Sequence, residues 1–166
     1  MERLPITKVN TERHVLDNLP ERPELSWDHS NPFAIRVAVV KDDIDSFGHV
    51  NNSVYLRWLT QCAWAHSAAV GLPEDTCVTM RRGMAVRSIH VDLLAAAYLD
   101  DVLWVGNWLS GRDRLRATRT YQIINERSNS TLLRGHVDFV CVNLDNGRPA
   151  RMPKEFLDGY AVTLLS

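Results

Sequence analysis

From Asn51 to Val70 the chain contains no glycine or proline, and Val54, Tyr55, Trp58, Leu59, Cys62, Ala65, His66 and Ala69 recur at helical spacing. Gly71 and Pro73 supply the stop. At 1.5 Å per residue such a helix runs about 30 Å. Its apolar residues and alanines leave only a thin polar stripe at Arg57, Thr60, Gln61 and Ser67. A helix of this kind is expected to be largely enclosed, so the rest of the chain must supply a layer that wraps it.

That layer reads as strand. Ahead of the helix, FAIRVAVV from Phe33 is short and β-branched, with Ile35, Val37 and Val39 on one face. After it, MAVRSIHVDLL, DVLWVGNWL, LRATRTYQII and LLRGHVDFVCVNL each alternate or are rich in β-branched and aromatic residues. The last of these ends at the turn sequence Asp145-Asn146-Gly147. Pro153 to Gly159 reads as a closing helical turn with Pro153 at its first position. The pattern is α+β, a curved antiparallel β-sheet wrapped around one long central α-helix. Residues 1–32 hold four of the seven prolines and little periodicity, and read as an N-terminal arm; residues 33–166 are expected to form a single domain.

At 166 residues the chain can bury about 70% of its extended surface, enough to hold a core without disulfide or metal. Cys62, Cys77 and Cys141 are odd in number and widely spaced, so three free thiols are expected. Nineteen Lys and Arg against twenty Asp and Glu leave a formal charge of -1. That is not the basic excess that nucleic acid binding demands. The first thirty residues contain no apolar run of signal-peptide length and no stretch elsewhere reaches membrane-span length, which points to a cytoplasmic protein without a membrane partner. Sixteen of the nineteen basic residues are Arg. A phosphate-bearing ligand suits that inventory, and so does a compositional bias with no function.

The chemistry concentrates between the first strand and the long helix, in D43-I-D45-S-F-G48-H49-V-N51-N52-S-V-Y55-L-R-W58. A helix N-terminus presents unpaired N–H groups and about half a positive charge. A reactive carbonyl seated there would be polarised by backbone N–H groups near Asn51, Asn52 or Ser53. Asp45 would then attack it or deprotonate water, with His49 in hydrogen-bonding reach of either. Acyl transfer fits the arrangement. Turn and cap chemistry also explains Asp, Gly and Asn in such a cluster.

The stretch resembles the signature of hotdog-fold thioesterases, in the branch that contains 4-hydroxybenzoyl-CoA thioesterase. Their pattern D-x-D-x-x-G-H-V-N-N-x-x-Y-L-x-W is met by Asp43, Asp45, Gly48, His49, Val50, Asn51, Asn52, Tyr55, Leu56 and Trp58. LLAAAYLDDVLWV and VCVNLDNGRPARMP resemble the family's later bend and final strand, so the resemblance runs from about Phe33 to Phe156. It implies the hotdog fold and hydrolysis of an acyl thioester, most simply an acyl-CoA. Asp45 would be nucleophile or general base, the N–H near Asn52 the oxyanion donor, and His49 and Asn51 supporting residues. It also implies a homodimer or homotetramer, with no cofactor. The departures are Phe47, where plant acyl-carrier-protein thioesterases have Asn, and Ala96, where the family commonly has proline. The central helix lacks an acidic residue, which favours the loop aspartate over the other hotdog branch. A non-catalytic acyl or CoA binder and a thioesterase acting on acyl carrier protein are the alternatives.

Tyr55 and Trp58 are candidate substrate-binding residues, and core packing is the alternative place for the tryptophan. Arg112, Arg114 and Arg116 alternate as on one face of a strand; either that face is simply solvated or the row meets CoA phosphates. No metal site is expected, since His49, His66, His90 and His136 lack paired ligand spacing along the chain.

Overall fold

The computed structural model describes residues 24–161. Strand β1 (Phe33–Ala38) is followed by a single 3-10 turn at Lys41–Asp43, and then by α1 (Asn52–Ala69) and the short α2 (Glu74–Thr79). Four strands come next, β2 (Arg82–Leu93), β3 (Val102–Arg112), β4 (Arg116–Asn125) and β5 (Thr131–Asn143), and α3 (Lys154–Ala161) closes the described chain. All strand pairs are antiparallel, in the order β1-β3-β4-β5-β2. One sheet packed on one long helix is the hotdog arrangement that the motif implied.

Register explains why the helix settles on one face. Ile35 pairs with Val105, Val105 with Ile123 and Ile123 with Leu133, so an apolar row crosses four strands on the concave side. Val54, Tyr55, Trp58, Leu59 and Cys62 of α1 join that row in the main core. A second cluster gathers Leu72, Cys77, Leu109, Cys141, Met152, Phe156 and Tyr160, so α2 and α3 close the far end of the sheet. All three cysteines are free and buried. No helix among the described residues is long and apolar enough to cross a membrane.

Several expectations need correction. The helix is less enclosed than its composition suggests, because Leu56, Arg57, Thr60 and Trp64 face outward while Gln61 and Ser67, assigned to the polar stripe, are buried. Gly71, at φ 83°, ends α1 as expected, and the Leu72 N–H returns to the Ser67 carbonyl. The next helix was not anticipated, although Glu74 and Asp75 in its first turn complement the helix dipole. The C-terminal element is an eight-residue helix, longer than the expected turn.

The described part of the arm is not a free lead-in. Residues 24–32 lie across the outer face of the sheet, where Asp28 pairs with Arg134 at 2.6 Å and its N–H donates to Gln122. Trp27 packs edge-on to Trp108 and sits so close over Gly106 that a Cβ there would fall 2.5 Å from its ring. Trp108 donates to the Ser30 carbonyl at 2.8 Å, and Trp104 donates to Glu126 at 2.7 Å. Both tryptophans are therefore buried within the subunit.

Candidate active site

The motif forms a tight loop between the 3-10 turn and α1. Ile44 and Val50 bridge across it, the Asp45 N–H donates to the His49 carbonyl, and Gly48 turns the chain back at φ 83°. One Asp45 carboxylate oxygen accepts the Phe47 N–H at 2.8 Å, and the other lies 3.6 Å from Nδ1 of His49. Both side chains are partly open to solvent, and the Phe47 ring, 84% exposed, stacks over His49.

The two asparagines divide the helix start between them. Asn51 is the N-cap, its Oδ1 accepting from the Ser53 N–H at 2.9 Å and the Ser53 hydroxyl at 2.7 Å. Asn52 is the first helical residue, and its backbone N–H has no partner among the described residues. The loop thus carries a paired carboxylate and imidazole a few residues ahead of the positive end of an 18-residue helix. Asp43 is separate from that group. It is 1% exposed, accepts the Val40 N–H and pairs with Arg57, a partner that its sequence pattern did not reveal.

Tyr55 and Trp58 do not open toward a ligand. Both lie in the core, and Tyr55 accepts the Ala97 N–H at 2.9 Å while the Ala97 carbonyl accepts from Val50. The expectation that they touch substrate gives way to packing and to anchoring the 94–101 bend against the loop. Burial raises the Tyr55 phenol above its ordinary pKa.

The arginine row is not a strand face. Arg112 ends β3, Arg114 lies in the hairpin turn and Arg116 begins β4, because Asp113 accepts the Leu115 and Arg116 N–H groups and folds the chain back. Arg112 and Arg116 border an open groove that Arg114 does not line, and Arg87, beside the register shift of β2, joins them there. Pairing of β2 with β5 also sets His90 opposite His136, with rings stacked at 4.8 Å and Asp138 close by. The ligating atoms of these three lie within 4.8 Å of one another, a geometry open to a metal ion that spacing along the chain could not show.

Between α1 and strands β2, β4 and β5 lies an apolar cavity of about 140 Å³. Leu56, Trp64, Val86 and Ile89 line it while remaining exposed, so its mouth opens on the flank of α1 and the β2 edge. Arg119, Ser67 and Tyr160 supply polar groups deep in its wall.

A family model described as the thioesterase-like superfamily matches residues 39–159. No curated protein matches the chain. Among solved structures, a 1,4-dihydroxy-2-naphthoyl-CoA thioesterase from Synechocystis is similar at 19% identity and TM-score 0.72, covering 79% of this chain and 96% of its own. A Staphylococcus aureus protein solved in complex with CoA is similar at 16% identity and TM-score 0.75, over 85% of this chain and 90% of that one. A DHNA-CoA thioesterase from the same organism is similar at 16% identity and TM-score 0.74, over 79% of this chain and 89% of that one. These likenesses establish the shared fold, and the match over residues 39–159 establishes the family: the chain belongs to the thioesterase-like superfamily.

Proposed function

We propose that the protein hydrolyses an acyl-CoA thioester to the free acid and CoA. The observation that carries the reading is the Asp45 carboxylate, 3.6 Å from His49, on the loop that leads into α1 and its unpartnered Asn52 N–H. The thioester carbonyl seats at the helix start, where the Asn52 N–H stabilises the oxyanion as it forms. Acting as base, Asp45 takes a proton from water, whose oxygen bonds to the carbonyl carbon. Collapse breaks the carbon–sulfur bond, and the departing thiolate recovers the proton. Acting as nucleophile, Asp45 bonds to the carbonyl carbon and expels the CoA thiolate, leaving a mixed anhydride that water opens to release the acid, return the Asp45 carboxylate and supply the thiolate's proton. His49 orients the carboxylate or the water, and Asn51 holds the helix start in place.

The similar proteins support CoA as the carrier, two being named for a CoA thioester and one solved with CoA. The groove beside Arg87, Arg112 and Arg116 offers forked cations to its phosphates. The working unit is a homodimer or a tetramer built from dimers. β2 is a twelve-residue edge strand, and Val86, Ile89, Leu93, Leu94 and Tyr98 stand exposed along it and the following bend.

A panel of aliphatic and aromatic acyl-CoA esters and acyl carrier proteins, followed by free thiol release, tests the reading. Turnover of one or more CoA esters is expected. Saturable acyl-CoA binding with no thiol released from any ester would make the protein a binder instead.

A further inference from the structure

Arg119 is 3% exposed, yet no carboxylate among the described residues pairs with it. Buried cations ordinarily have an anionic partner, because burial removes the hydration that stabilises the charge. Its partners are instead neutral. Nη1 lies 2.7 Å from Nδ1 of His66 and 2.8 Å from Oδ1 of Asn107, and Nη2 donates to the Ser67 hydroxyl at 3.0 Å. The guanidinium carbon lies 5.3 Å from the centre of the Tyr160 ring.

The titratable neighbours do not supply the missing charge. Burial and the adjacent guanidinium bring the His66 pKa down to about 4, leaving a neutral ring at ordinary pH. Burial pushes the Cys62 thiol up to about 12 and the Tyr121 phenol well above its usual range. The Nε–H and one Nη2–H of Arg119 have no partner among the described residues, and the side chain lines the apolar cavity beneath α1.

We propose that this cavity recognises an acid: an apolar chain or ring ending in a carboxylate, which meets the two free N–H groups of Arg119. Leu59, Ala63, Val137 and Phe139 would enclose the apolar body. On the hydrolase reading, on which the identity of the substrate rests, that carboxylate is the far end of the acyl group. Ser67, the helix residue bonded to Arg119, lies fifteen positions beyond Asn52, or about 22 Å along the helix. The substrate class is then a carboxyl-ended acyl-CoA.

The test pairs carboxyl-ended acyl-CoA esters of increasing length with methyl-ended esters of the same length, and measures the binding of free dodecanedioate and dodecanoate by calorimetry. At the length that fits, wild-type kcat/KM is expected to favour the carboxyl-ended ester about tenfold or more, a modest return for a charge-assisted fork. Dodecanedioate should bind about tenfold more tightly than dodecanoate, with the difference lost in Arg119→Met and partly kept in Arg119→Lys. If Arg119→Met does not fold, the wild-type comparisons decide alone. Arg119-dependent diacid binding without hydrolysis of any ester would sustain the pocket and overturn the hydrolase reading. Hydrolysis with no preference for the carboxyl end at any length, together with equal binding of the two free acids, would overturn the pocket.

Discussion

Asp43 is ion-paired to Arg57, so the loop that precedes α1 is tied to the helix's second turn by a carboxylate other than the one nearest His49. Asp43 also accepts the Val40 N–H at 3.1 Å, and its carbonyl accepts the Asn51 N–H at 2.9 Å. The two aspartates of the motif therefore do different work: Asp43 fixes the loop, and Asp45 stays partly exposed at its tip.

Arg57→Ala should lower stability by about 1–3 kcal/mol, the usual consequence of leaving a buried acceptor short of a partner. Urea unfolding measures it. Asp43→Asn should likewise lower stability, with a smaller loss of kcat than Asp45→Asn produces.

The groove beside the β3–β4 hairpin gives a kinetic test of CoA recognition. An Arg87→Ala, Arg116→Ala double variant should raise KM for acyl-CoA about tenfold with kcat little changed, and should weaken its dependence on salt. A short thioester lacking the nucleotide should be hydrolysed as before. An unchanged KM for the CoA ester would show that these arginines are only solvated.

His66 makes stability depend on pH. Its folded pKa, about 4, lies below the ordinary histidine value, so between those pH values the unfolded chain binds the proton and the folded one does not. The contribution is fully present above about pH 6.5 and fades as pH falls toward 4, by roughly 3 kcal/mol in all. Denaturant melts at pH 7.5 and 5 should show the loss, and His66→Gln should reduce it.

Leu93→Lys, at the end of the exposed edge strand and outside the cavity lining, should shift the proposed dimer to monomer in light scattering and reduce turnover with it. A wild-type protein that is monomeric and fully active at assay concentration would contradict the dimeric unit.

Local pattern carried most of the fold. The long helix lies within one residue of its expected ends, and all five strands lie where alternation and β-branching put them. The loop was legible because its Asp, Gly, His and Asn residues sit within a single turn and cap. What was hidden depends on pairing between distant strands. His90 faces His136 because β2 and β5 are neighbours, although 45 residues separate them. Arg119 alternates like any strand residue, and only the helix laid over it reveals that it points inward to His66, Ser67 and Asn107. The arginine row misled because Asp113 turns the chain in its middle, which moves Arg114 off any strand.

The central claim is that Asp45 performs the chemistry, and Asp45→Asn tests it most directly because the amide keeps the shape while losing the base or nucleophile. Thiol release from the best acyl-CoA ester should fall on the order of 10²-fold or more in kcat, with an unchanged melting temperature. His49→Ala should lose less, and the double variant should show whether the pair acts as a unit. Wild-type turnover by a folded Asp45→Asn protein would contradict the account.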